Sequence, residues 1–156
     1  MKRNTIAKTF TIAAVTALAL CVAPTAKADN KGCTNASLNG TFAYTSSGYI
    51  TAPADLAGPI SEIGTQSFDG NGGTTATATI STSGTINQLT ITGTYTVNPD
   101  CTGTLTLQVS PFMITVDVFF VIADSLNEIQ MMETDPGLVI TRIARRQFPV
   151  GDWRNQ

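Results

Sequence analysis

The stretch ITGTYTVNPDCTGTLTL, residues 91–107, decides the fold. Apolar and threonine side chains alternate along it, pause at Asn98-Pro99-Asp100-Cys101-Thr102-Gly103, and alternate again. Successive side chains of a strand point to opposite faces, so a period of two marks a half-buried strand. A short break rich in Asn, Asp, Pro and Gly between two such runs marks a hairpin. Leu89, Ile91, Tyr95 and Val97 share one face of the first run, and Thr90, Thr92, Thr94 and Thr96 share the other. Leu105, Leu107 and Val109 oppose Thr104, Thr106 and Gln108 in the same way. The apolar set faces a core. Threonine, β-branched and polar at once, suits the face turned to water.

Outward from this hairpin the same rhythm predicts eight strands: Gly40–Tyr49, Ile60–Phe68, Thr75–Thr82, Gln88–Val97, Thr102–Val109, Phe112–Ala123, Glu128–Thr134 and Leu138–Gln147. Asp69-Gly70-Asn71-Gly72-Gly73, Ser83-Gly84 and Asp135-Pro136-Gly137 supply turn chemistry between them. The one long connection, from Ile50 to Pro59, reads as a loop or lid. Short links favour antiparallel hairpins in up-and-down order. Eight such strands keep two open edges unless they close on each other. The expected fold is therefore all-β, an eight-stranded antiparallel up-and-down barrel, with a β-sandwich as the alternative. Glycines recur in Gly40-Thr41-Phe42, Gly64-Thr65-Gln66 and Gly93-Thr94-Tyr95, where they are expected to relieve the curvature of a tight barrel, with a duplicated hairpin as the alternative.

Two features break the simple pattern. The Phe112–Ala123 run is apolar on both faces, which predicts cover on its outside as well. The tail Phe148–Trp153 or the N-terminal segment is the expected cover, and a homodimer through this strand is the alternative. Elsewhere polar residues fall on the inner face: Glu62 and Gln66 with Ile60 and Phe68, Glu133 with Ile129 and Met131, and Arg142 with Leu138 and Ile140. A buried charge needs a partner. An interior pair between Arg142 and Glu62 or Glu133 is one reading, and wet strand ends are the other.

The chain begins with Lys2, Arg3 and Lys8, continues through an apolar run from Phe10, and reaches Ala26-Lys27-Ala28 before Asp29. Basic head, short apolar stretch and small-x-small site are the marks of a secretory signal peptide. Residues 1–28 are expected to be removed, leaving a single domain over 29–156 that is periplasmic or extracellular and has no membrane span. A lipid anchor at Cys21 is the alternative, against which Leu20 is too bulky for the position before a lipidated cysteine. Cleavage leaves five basic and eleven acidic residues, a net charge of −6. An acidic domain without clustered Lys and Arg is not built for nucleic acid. Cys33 and Cys101 remain as an even pair in an oxidising compartment and are expected to be bonded.

The sequence contains no histidine, which removes Ser-His-Asp, Cys-His and His-metal arrangements. Gly70-Asn71-Gly72-Gly73 lacks the Lys-Ser/Thr ending of a phosphate loop. Asp69, Asn71 and Asp100 lack the spacing of a calcium loop, so no metal ion and no cofactor is expected. Glu128, Glu133 and Asp135 gather near one hairpin without the aromatic platforms of a glycosidase.

Three segments carry a resemblance: CTNASLNGTF at 33–42, FDGNGG at 68–73 and GTYTVNPDCTGTLTL at 93–107. Together they resemble a group of exported bacterial proteins of uncharacterised function, which implies a shared fold and no activity. More distantly the pattern is similar to the calycin barrels, which include the lipocalins. Those open with a 3₁₀ turn and Gly-x-Trp on the first strand, crossed by an arginine from the last. Here Gly40-Thr41-Phe42 would take the first role, with Phe42 in place of tryptophan, and Arg142 or Arg145 the second, closing the base.

These readings point to a barrel that holds a small apolar or amphipathic ligand, with Tyr44, Gln66, Tyr95, Met131 and Arg142 as the inner-face residues nearest to it. The alternatives are a structural or protein-interaction module with a side-chain-filled barrel, and a barrel enzyme of cyclase or dirigent type, which would need no catalytic nucleophile. Intact-mass measurement of the exported protein checks the leader. A product starting at Asp29 is expected, and retention of the first 28 residues sinks the export reading.

Overall fold

The structure is a computed structural model and describes residues 32–148. The expected leader over 1–28, with Cys21, and the tail beyond Phe148 lie outside the described residues. Eight strands follow in chain order: β1 (Gly40–Ile50), β2 (Gly58–Phe68), β3 (Gly73–Thr82), β4 (Thr85–Val97), β5 (Thr102–Ser110), β6 (Ile114–Ala123), β7 (Glu128–Glu133) and β8 (Leu138–Arg146). Each pairs antiparallel with the next, and β8 returns to β1, so the sheet is a closed up-and-down barrel and not a sandwich. Two short 3₁₀ turns, Asn35–Leu38 and Asp124–Leu126, lie outside the sheet.

Inner and outer faces follow the two-residue period. Leu89, Ile91, Tyr95, Val97, Leu105, Leu107 and Val109 are all buried, while the threonines between them face out. Two turns that stood out in the sequence are held by their own carboxylates. Asp69 Oδ1 accepts from the backbone N–H groups of Asn71, Gly72 and Gly73 at 2.7, 3.0 and 2.9 Å. Those bonds, led by the one from Asn71, lower the Asp69 pKa. Asp100 accepts from Thr102 N and Oγ1 at 3.0 and 2.7 Å, which sets the turn carrying Cys101. Gly103 follows because nothing larger fits: a Cβ there would lie 2.2 Å from the Phe120 ring and 2.3 Å from the Thr96 carbonyl.

One end of the barrel is plugged. The 3₁₀ turn Asn35–Leu38 crosses it and drives Leu38, fully buried, into the lumen. Cys33 and Cys101 are disulfide-bonded, with Cα atoms 4.9 Å apart. Asn35 Oδ1 accepts from Val97 N at 2.8 Å, and the Tyr95 hydroxyl donates to the Asn35 carbonyl at 3.0 Å. Above the plug, Phe42, Phe68 and Tyr95 meet edge to face, with centroids 5.5 and 5.1 Å apart. Arg146 locks the assembly. Its guanidinium lies 4.5 Å over the Phe42 ring and donates to the carbonyls of Asn39, Ser37 and Leu126. The arginine that crosses the first-strand aromatic is thus Arg146, not Arg142 or Arg145. Arg145 points outward to Glu128 at 2.9 Å, and Arg142 sits higher in the lumen.

The start of β6 departs from expectation, and the cover expected over its outer face falls largely outside the described residues. The strand starts at Ile114, with Phe112 and Met113 in the preceding turn. Val116, Val118, Phe120 and Ile122 are buried, yet Phe119 and Val121 on the other face are 44% and 41% exposed. Among the described residues nothing covers them: 32–39 lies at the base, and Phe148 is itself exposed.

Two changes test the plug. Arg146→Met strands three carbonyls and removes a charged donor, so a loss of about 2–4 kcal/mol is expected. Breaking the disulfide by Cys33→Ser with Cys101→Ser is expected to cost up to about 4 kcal/mol, from the loop it closes. Guanidinium unfolding measures both. Unchanged midpoints would remove the plug from the account of stability.

Candidate ligand-binding site

The opposite half of the barrel is hollow. A cavity of about 600 Å³ opens between the connections at 51–57, 83–84, 111–113 and 134–137. Its walls are aliphatic, chiefly Ile60, Leu89, Ile91, Leu107, Val109 and Ile140. These sit on four different strands, and each faces inward because of the alternation that fixed the fold. Asp55 and Leu56 from the β1–β2 loop and Phe112 from the β5–β6 turn stand at the mouth. The loop is held there by Thr51, whose N–H and hydroxyl both donate to the Gly137 carbonyl, at 2.7 and 3.1 Å.

Where the cavity meets the packed half, polar groups replace the aliphatic wall. Arg142, Glu62 and Glu133 belong to the lining. Arg142 Nη2 lies 3.5 Å from Glu62 and 3.6 Å from Glu133, so it is shared between the two carboxylates. Tyr44 lies beneath: its ring is 4.4 Å from the guanidinium carbon, and its hydroxyl donates to Glu62 Oε1. Strand pairing brings the four together. Ser46 on β1 stands opposite both Glu62 on β2 and Arg142 on β8, and Arg142 stands opposite Met131 on β7, two positions before Glu133. The interior Arg–Glu pairing raised by the sequence is therefore present, with both glutamates taking part.

Burial sets the protonation of this cluster. Loss of water raises the Tyr44 phenol above its usual range, so it stays a neutral donor. Burial likewise pushes Glu133 up to about 7, with Glu62 and Asp135 adding to the rise and Arg142 opposing it. Two polar atoms beside the cluster have no partner among the described residues: Arg142 Nη1 and Ser46 Oγ.

Of the residues singled out in the sequence, Arg142 lines the cavity and Tyr44 supports it from below. Gln66, Tyr95 and Met131 face inward but do not line it. Gln66 Nε2 donates to Thr74 Oγ1 at 3.1 Å, and Tyr95 belongs to the plug. The aliphatic wall and the two glutamates are the parts that sequence reasoning left off the site. Their inward position was visible in the period, but their height along the barrel axis was not.

No family model matches the chain, and no curated protein matches it. Among solved structures the chain is similar to the redesigned β-barrel mFAP1 bound to DFHBI. The identity is 20%, the match covers 72% of this chain and 97% of that one, and the TM-score is 0.49.

The Glu133 environment has a consequence for stability. The unfolded chain releases this proton near the free value of 4.5, the folded chain only near 7. Between those values the folded state holds more protons than the unfolded one, so stability falls as pH rises through that window. Glu133→Gln has nothing to release and is expected to flatten the decline. Denaturation midpoints across the window check this, and a parallel decline in the variant would locate the effect elsewhere.

Proposed function

We propose that this is an exported, calycin-like binding protein that takes a small apolar or amphipathic ligand into the open half of its barrel. The observation that carries the reading is the hollow itself. Its volume lies within the ~300–1,000 Å³ usual for ligand pockets, its walls are aliphatic, and one polar cluster stands at its floor. A barrel filled by side chains, as a purely structural module would have, leaves no such space. Burying apolar ligand surface against these walls supplies on the order of 25 cal/mol per Å², and the polar floor orients the molecule. Arg142 and Tyr44 are the anchoring residues of this reading. Export is supported by the leader pattern and by the disulfide, which belongs to oxidising compartments. The similarity to calycins is supported by the 3₁₀ turn, Phe42 and Arg146 at the base.

Nile red, a neutral dye whose emission shifts in apolar surroundings, tests the reading. Saturable uptake by the mature protein is expected. Val109→Trp, which places a large ring in the cavity wall, is expected to weaken uptake about tenfold or more, or at least ~1.4 kcal/mol. Absence of saturable uptake by the folded wild type would end the proposal.

A further inference from the structure

The cavity floor also constrains the head group that it can receive. Resting on the binding reading above, we infer that the site selects amphipaths with an uncharged, hydrogen-bond-accepting oxygen head, an alcohol or ketone, over carboxylates, amines and plain hydrocarbons.

The charges are already complete without a ligand. Arg142 carries one positive charge, and Glu62 and Glu133 face it at 3.5 and 3.6 Å. The other ionisable groups facing Glu133 are Tyr44 from β1, a neutral phenol, and Asp135 from the β7–β8 turn, with Asp55 at the mouth. The shared carboxylate with the raised pKa is Glu133, so in mildly acidic water it keeps its proton and adds no negative charge to the floor. A carboxylate ligand would add a second anion against a single guanidinium in a water-poor pocket. That leaves an uncompensated buried charge, the costliest arrangement available.

The unpartnered atoms decide between the remaining heads. Among the described residues Arg142 Nη1 is a buried donor with no acceptor, and Ser46, whose hydroxyl also lacks a partner there, stands directly opposite Arg142 in the strand register. A buried donor left unpaired is costly, and a ligand oxygen that accepts from it recovers that cost. An ammonium head has donors only. It would leave Nη1 unpaired and bring a second cation next to the guanidinium. A hydrocarbon satisfies nothing. A hydroxyl or carbonyl oxygen set against Arg142 can accept from its guanidinium, and a hydroxyl can also donate to Glu133, which lines the cavity as well. The aliphatic wall takes the chain of the molecule.

Nile red displacement by decanol, decanoate, decylamine and decane separates the heads at constant chain length. At about pH 6 decanoate is an anion and decylamine a cation. Decanol is expected to displace the dye at concentrations about tenfold lower than each of the other three. In the charge-balanced double variant Glu62→Gln with Arg142→Met, decanol is expected to lose its advantage over decane. Decanoate or decylamine equal to or better than decanol would overturn the inference, as would a decanol advantage that survives in the double variant. Either result leaves the cavity reading standing. Displacement by none of the four, with no dye uptake, would overturn both.

Discussion

β8 returns to pair with β1 from Phe42 opposite Arg146 to Ile50 opposite Leu138, and the rest of the molecule depends on that closure. An open eight-stranded sheet would keep two edges of unpaired backbone groups. Closure removes them and turns one face of every strand inward. It also fixes which residues meet. Ser46 of β1 acquires Glu62 on one side and Arg142 on the other, residues 80 apart in the chain. No local interaction would join them. The polar floor is thus a product of topology, and a sheet that failed to close would leave Glu62 and Arg142 without each other.

The price of that floor is instructive. A guanidinium, two carboxyl groups and a phenol sit inside a lumen otherwise built of hydrocarbon. Well-packed apolar side chains in their place would often be neutral or stabilising, since desolvation tends to offset what a buried ion pair gains. The fold softens the cost in three ways. Arg142 lies on the face of Tyr44, Tyr44 donates to Glu62, and Glu133 can keep its proton. What it does not do is satisfy Arg142 Nη1.

Much of this was legible in the chain. The two-residue period gave eight strands with ends within a few residues of those observed, and it placed Glu62, Glu133 and Arg142 inside. The even pair of cysteines beyond the expected leader pointed to the disulfide that is observed. What the period does not encode is height along the axis, because the stagger between strands is set only when the barrel closes. Gln66, Tyr95 and Met131 have the same inward phase as Arg142, yet none of them lines the cavity. The same limit explains the basal arginine. Positions 142, 144 and 146 share a face, which turns Arg145 outward, but only the position of the Asn35–Leu38 turn shows that Arg146 reaches the base. The cover expected over the outer face of β6 falls largely on the tail beyond Phe148, outside the described residues.

Residue size explains why one half of the lumen is solid and the other hollow. Phe42, Phe68, Tyr95 and Phe120, together with Leu38 from the plug, sit toward the closed end, and rings of that size reach far enough across an eight-stranded barrel to meet. Toward the mouth the inward positions hold Ile50, Ile60, Ile80, Val109, Leu138 and Ile140. Branched aliphatic chains line a strand well but are too short to touch across the same diameter, so space is left between them. The boundary falls at Tyr44, the last inward aromatic of β1, and at the Arg142 cluster that rests on its ring. The depth of the hollow, and the position of its polar floor, are therefore set by where the aromatics stop along each strand.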